Sequence, residues 1–560
     1  MGRVNRTLKL KEHKTMKTSI LSMLPLAGLL LFTACASEDT ADNRQQESDL
    51  KGLTAFSVEE KTPATRTAGE YTGTGVKFYW TRYDVLWVQD NPPHFESDYK
   101  NDIADQLTAS GTDRTSRAKF WFRGSYTAPQ YLVYYGGDNT ISWPGRVTIA
   151  NKQKQDKPNY ATGLGLYGDC GTGIARRQDN GNYSFMIDHK SSYVTFMPYT
   201  KQKGIANTRL EKITVTADKA ISGEFKFDND NGIDLSSRPA TTATNSSIEL
   251  TLNNFPIPLT APDAAANAAV MVIAPGTYSK LTVEYTIYDD NGYPHIGTGV
   301  RGTITKEYSN VTFTAGKNKE ISQQLELPEY PADTYYMWDA AVGQHYWKGY
   351  EWNGPNPQQP PFINLLNYPY PKDNTDPRWH REFPNGFTPN ADNTAAAYSC
   401  KDCPNVNELY WYVTKGDPYR DYSYWISMDH LFQGGTWLKK LSVIAAEEGK
   451  SVADLKNASP DGKDYRTEIL NPIPQIAHIN QGKLTDTSNY FYLPDLGFYN
   501  QTGTPGGEGY YWSSTPVFRW NDVPPKFDGI AYSMILYGTW MELQTNTVET
   551  GLSQRWPTDR

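Results

Sequence analysis

Cysteine is nearly missing, with four in 560 residues, too few to build the chain around disulfides. Histidine is scarce too: the eight present never stand at the His-x3–5-His spacing of a zinc site. An excess of positive charge is lacking. Lys plus Arg total 54 against 62 Asp plus Glu, a formal −8, so nucleic acid is not an expected partner. No GxSxG elbow, HExxH or other nucleophile–base spacing occurs, so no catalytic residue is assigned and no enzyme is expected. No sustained helical period precedes residue 330, and no tandem repeat is present. The longest apolar run, Ile20 to Phe32, is too short for a comfortable membrane span.

That run nonetheless follows six bases (Arg3, Arg6, Lys9, Lys11, Lys14, Lys17) and one acid (Glu12), the layout of a secretion signal. It ends Leu31-Phe32-Thr33-Ala34-Cys35, and small residues just before a cysteine resemble the lipobox of bacterial lipoproteins. The resemblance implies a signal peptide over 1–34 and lipidation at Cys35, with the acyl chains (palmitate among them) anchoring the protein in the outer membrane. Glu38, Asp39 and Asp42 just behind Cys35 resemble a surface-export signal of Bacteroidota lipoproteins. Loss of 1–34 leaves 48 bases and 61 acids, a formal −13.

Residues 35–66 are polar and read as a tether or propeptide, with one candidate strand, Leu53 to Val58. From Val76 the chain turns aromatic and β-branched. Strands are expected at Val76–Trp80, Asp84–Val88, Ala118–Phe122, Tyr131–Tyr135, Tyr193–Met197, Ile213–Thr216, Ile248–Leu252, Val270–Ile273, Leu281–Tyr288, Val300–Thr305 and Ile321–Leu327. Ile248-Glu249-Leu250-Thr251-Leu252 alternates as a half-buried strand does, and Asp289-Asp290-Asn291-Gly292 reads as a hairpin turn. Two successive β-sandwiches, 67–200 and 201–328, fit this spacing. Pro328 to Asp333 reads as a linker. Beyond it, 336–560 holds eleven of the 15 Trp and a helical stretch, Leu438 to Glu448, so it is a different, mixed domain.

Two family resemblances carry these readings further. The lipobox, the Thr65-Arg66-Thr67-Ala68 stretch, the Phe78-Tyr79-Trp80 and Asp84-Val85-Leu86-Trp87-Val88 pair, and the closing Phe313-Thr314-Ala315-Gly316-Lys317 with Ile321 to Leu327 resemble, in that order, the fimbrillin family of Bacteroidota. That resemblance implies two transthyretin-like β-sandwiches and cleavage by an arginine-specific protease, here between Arg66 and Thr67. Cleavage would remove Leu53 to Val58 and open a groove for a strand from another fimbrial subunit. The plainer reading leaves Arg66 as an exposed linker residue. Over 336–560, Ser399 to Leu409, Lys415-Gly416-Asp417-Pro418, Gly434-Gly435-Thr436-Trp437, Tyr492 to Tyr499 and Gly509 to Ser514 resemble the "major paralogous" domain of bacterial surface proteins, whose relatives have a C-type-lectin-like fold. The expected architecture is therefore mainly β: two sandwiches and then an α+β lectin-like domain.

Other motifs carry less. Cys400-Lys401-Asp402-Cys403 lacks further zinc ligands and reads as a local disulfide or as two buried thiols; Cys170 stands alone. Gly163-Leu164-Gly165-Leu166-Tyr167-Gly168 lacks the strand and helix of a dinucleotide site. Asp228 to Asp234 fails as an EF-hand, since Pro239 stands where the bidentate Glu belongs, and reads as a hairpin turn. No cofactor or metal residue is assigned beyond an unlocated structural Ca²⁺, and no ligand-binding residue is identified. The expected role is a surface fimbrial subunit, a tip adhesin for a glycan or protein ligand assembled by strand donation. The alternative is a glycan-capturing surface lipoprotein that does not polymerise.

Overall fold

The computed structural model describes residues 50–58, 69–137, 145–228, 232–290 and 299–333, parts of 335–378, and 400–560 apart from 477, 483, 500–505, 520–525, 554–555 and 558–559. The packing below lies within one compact unit, Gly52–Arg560.

The first domain is a single curled sheet. Its strands run, side by side, His94–Ser97, Leu86–Asn91, Gln130–Tyr135, Gly171–Arg177, Tyr183–Phe185, Leu53–Val58, Lys119–Arg123 and Lys100–Asn101. The two outermost strands are consecutive in the chain. Between them the Asp98 N–H donates to Leu86 O and the Tyr99 N–H to Trp121 O, so the chain spans the seam and the sheet nearly closes on itself. Two separate sheets were expected here. One curled sheet stands in their place, and the Ile103–Ser110 helix joins its core with Ile103 and Leu107 buried. Gly111 ends this helix in the left-handed conformation.

The second domain is a sandwich. A five-stranded sheet (Lys152–Gln155, Ser247–Pro256, Arg209–Ala217, Gly276–Asp289, Val300–Phe313) shares a core with a three-stranded one (Ala269–Ile273, Ser192–Phe196, Asn318–Ile321). Buried Gln153 and Gln155 exchange hydrogen bonds with the backbone at Val272, Val270 and Ala268. The expected boundary near residue 200 is therefore displaced. Lys152–Gln155 and Ser192–Phe196 precede it in sequence yet pair inside the second sandwich, and Arg146–Ile149 pairs with Gly223–Asp228. Gly232–Asp234 folds back on Gly223–Asp228, the expected hairpin.

Residues 328–333 are not a free linker: Glu329–Tyr330 pairs in parallel with Tyr419–Ser427. The last domain has one sheet built on Tyr419–Ser427, His430–Lys439 and Tyr490–Pro494, and a second on Gly509–Arg519, Lys526–Tyr537 and Trp540–Thr547. Helix Val406–Lys415 begins at a capping box in which Asn405 and Glu408 satisfy each other's backbone N–H groups. The expected helix from Leu438 begins instead at Leu441, because Leu438 and Lys439 still pair with Tyr490 and Phe491 in the sheet. Among the described residues, no helix is long and apolar enough to cross a membrane.

The last domain is docked on the sandwich rather than strung from it. Ile426 and Leu431 belong to the sandwich core. Asp289, expected in a hairpin turn, ends a strand opposite Val300, is buried and accepts the Leu431 N–H at 2.7 Å. Gly204 sits against the Ile426 side chain with no room for a Cβ.

Candidate functional site: the slot of the first strand

Leu53–Val58 forms the expected strand and occupies an interior position. It pairs in parallel with Tyr183–Phe185 (Phe56 opposite Tyr183) and antiparallel with Lys119–Arg123 (Phe56 opposite Phe120). A strand paired on both sides supplies the ladder partners of two neighbours. Its removal leaves two facing rows of backbone N–H and C=O groups bare.

Alternation divides its side chains between two faces. Phe56 turns inward and is fully buried. Its ring stacks on Tyr183 at 4.6 Å and meets Phe122, Tyr126 and Tyr131 edge-on at 5.0–6.4 Å. Val58 packs against the same core. Leu53, Ala55 and Ser57 lie on the other face, opposite Arg123, Trp121 and Lys119, with Ala55 buried there and Leu53 and Ser57 half-buried. The aromatic nest was not singled out from sequence. Its signal is present in Lys119-Phe120-Trp121-Phe122-Arg123, where buried Phe120 and Phe122 alternate with exposed Lys119 and Arg123 and half-buried Trp121.

Ile321 to Leu327, the stretch that closes the fimbrillin-like region, is held in place. Asn318–Ile321 pairs in parallel with Tyr193–Phe196 and Gln324–Leu325 with Tyr199–Thr200. The Gln202 side chain holds Leu327 at both its N–H and its C=O, and the chain then enters the last domain at Glu329. Downstream of the expected cut, Gly69 pairs with Ala161, Tyr71 takes Asn159 Oδ1 on its N–H, and the Tyr71 hydroxyl donates to Glu320. Burial and that carboxylate push the Tyr71 phenol up to about 12. Cys35, Arg66 and Thr67 lie outside the described residues.

The remaining motifs resolve into structure. Cys400 and Cys403 are buried, neighbouring thiols, and burial pushes the Cys400 thiol well above its usual range. The Gly163–Gly168 loop leads to no helix. It buries Leu164 and delivers buried Asp169, which accepts from His189 Nδ1 at 2.8 Å and from the Tyr193 hydroxyl, a cluster with no sequence signal beyond its residue types. Gly168, at φ +103°, passes too close to the Thr148 carbonyl for any Cβ.

In the last domain, Trp338, Trp347, Trp411, Trp425, Trp512 and Trp556 are all core. Two motifs noted above meet there. Gly434, at φ +104°, leaves room for the buried Arg420–Asp495 ion pair, and Gly435 leaves room for the Tyr492 ring. Burial pushes Asp495 up to about 6 despite the guanidinium beside it.

No protein-family model matches the chain, and no curated protein does. Solved structures that resemble it include a candidate cell adhesion protein from Bacteroides ovatus (13% identity over 49% of this chain and 91% of that one, TM-score 0.27). A fimbrial protein from Bacteroides vulgatus is 14% identical over 37% of this chain and 78% of that one, with a TM-score of 0.21. A fimbrial protein from Bacteroides ovatus is 10% identical over 89% and 98%, with a TM-score of 0.20. At such scores the functional weight falls on the chain's own geometry.

Proposed function

We propose that this chain is a cell-surface fimbrial subunit that accepts a strand from another subunit and presents its last domain as an adhesin. Cleavage after Arg66 would release Leu53–Val58, and an incoming strand would restore the ladder by β-augmentation. The observation that carries this reading is the interior position of Leu53–Val58, bonded on both sides. An ordinary propeptide packed on a surface would leave no such slot.

The tip position is supported by the state of Ile321 to Leu327, the segment that a stalk subunit would have to donate. Residues 318–330 are paired in the sandwich and again in the last domain, so freeing them means tearing both. Such a subunit takes a strand and gives none. Lipidation at Cys35 would hold the uncut form on the outer membrane. The last domain would bind a glycan or protein on another surface, and binding rather than catalysis is its proposed role.

The mature N-terminus of the protein on cells tests this. Thr67 is the expected terminus of the assembled form. A population carrying only lipidated Cys35 would overturn assembly and favour the glycan-capturing lipoprotein.

A further inference from the structure

The outer face of the slot has a sign. Lys119 and Arg123 lie directly opposite Ser57 and Leu53. Lys100 pairs with Trp121 on the far side of the same strand. Arg176 pairs with Ser184, which in turn pairs with Ser57. By alternation all four cations share the outward face, and Lys119, Arg123 and Arg176 are exposed. None of the four is in an ion pair among the described residues. Lys100 and Lys119 rest over the Trp121 ring at 6.0 and 5.7 Å, Arg123 stacks on Tyr99 at 3.8 Å, and Arg176 reaches only Gln130. The strand now in the slot offers them nothing, since its outward residues are Leu53, Ala55 and Ser57. This basic patch sits on a chain with a net charge of −8.

The inner face has a shape. Four rings close around Phe56, so an inward aromatic side chain fills a nest already built for it. We propose that the slot selects an incoming strand of alternating chemistry, with an aromatic residue on its inner face and carboxylates at its outward positions, carried by another fimbrial subunit. The inference rests on the strand-accepting reading and adds its specificity. Opposite charges across neighbouring strands attract and like charges repel. An acid-bearing strand would therefore hold the slot better than the released one, which gives exchange a direction.

The test uses the full chain with a specific protease site placed after Arg66, cut, and probed with labelled peptides of about ten residues, the upper length of a common strand. One peptide carries Phe inward and Glu outward, a second Phe inward and Lys outward, a third Ala inward and Glu outward. At low salt the first is expected to bind about tenfold or more tighter than the second, by the summed cross-strand pairs, with the gap closing at high salt. The third is expected to be the weaker of the two Glu peptides. Combining Lys119→Glu with Arg123→Glu should reverse the preference between the first two. Equal affinity of the Glu and Lys peptides at low salt would overturn the charge selection while leaving strand acceptance intact. Failure of every peptide to enter the slot would overturn strand acceptance and this proposal with it.

Discussion

Phe56 loses all of its exposure among Phe122, Tyr126, Tyr131 and Tyr183, so its removal is felt by the strand and by the nest together. Phe56→Ala is expected to cost the uncut chain about 3–5 kcal/mol, the range for deleting a buried aromatic side chain. Urea unfolding reads this directly, and a loss under about 1 kcal/mol would mean the strand is only loosely seated. At the other end of the chain, Asp495 gives a pH signature. Its folded-state value, about 6 by burial, lies above the ordinary carboxylate value near 3.9. Between those limits the folded protein holds a proton that the unfolded chain has released, so this group's contribution to stability falls as pH rises from about 4 to 6. Asp495→Asn should remove that decline, a difference of up to about 3 kcal/mol in the change across the window. Denaturation at a series of pH values compares the two slopes, and parallel slopes would contradict the assignment.

Among elements, the strands were the most legible in the sequence. Leu53–Val58 is the strand expected there, and most of the long strands contain their expected cores, as Gly276–Asp289 contains Leu281–Tyr288. The short helices were not legible by periodicity. Ile103–Ser110 buries only two residues, too few to set a period. Val406–Lys415 announces itself by its cap instead, Asn405 three residues before Glu408. Of the candidate site, the strand was readable but its partners were not. Pairing with Tyr183–Phe185 joins residues more than a hundred positions apart, which local pattern does not encode. The same holds for 318–330, whose linker-like Pro328-Glu329-Tyr330-Pro331 conceals a sheet strand. If that segment is locked, its amides should exchange as slowly as those of the Ser192–Phe196 strand beside it, in hydrogen-exchange measurements on the full chain. Exchange within seconds at Lys319 to Leu325 would mean that the segment is free to be given away.

On the scale of the whole molecule, the three domains divide the work by charge, core and connection. The first holds Leu53–Val58 as an interior strand paired on both sides. The second pairs Asn318–Ile321 and Gln324–Leu325 within itself, and it seats the last domain through Leu431 on Asp289 and through Ile426 on Gly204. That seating explains why the turn-like Asp289 is buried, while the last domain keeps six Trp in a core of its own. Acceptance of a foreign strand at the first domain is the claim on which the rest depends. A photo-cross-linking residue in place of Ser184, which sits outward beside Ser57, reports what fills the slot. In the uncut chain the adduct should form with the chain's own residues 53–58. After cleavage at Arg66 and mixing with a second fimbrial subunit, it should move to a strand of that subunit. An adduct that stays on residues 53–58 after cutting and mixing would contradict the account.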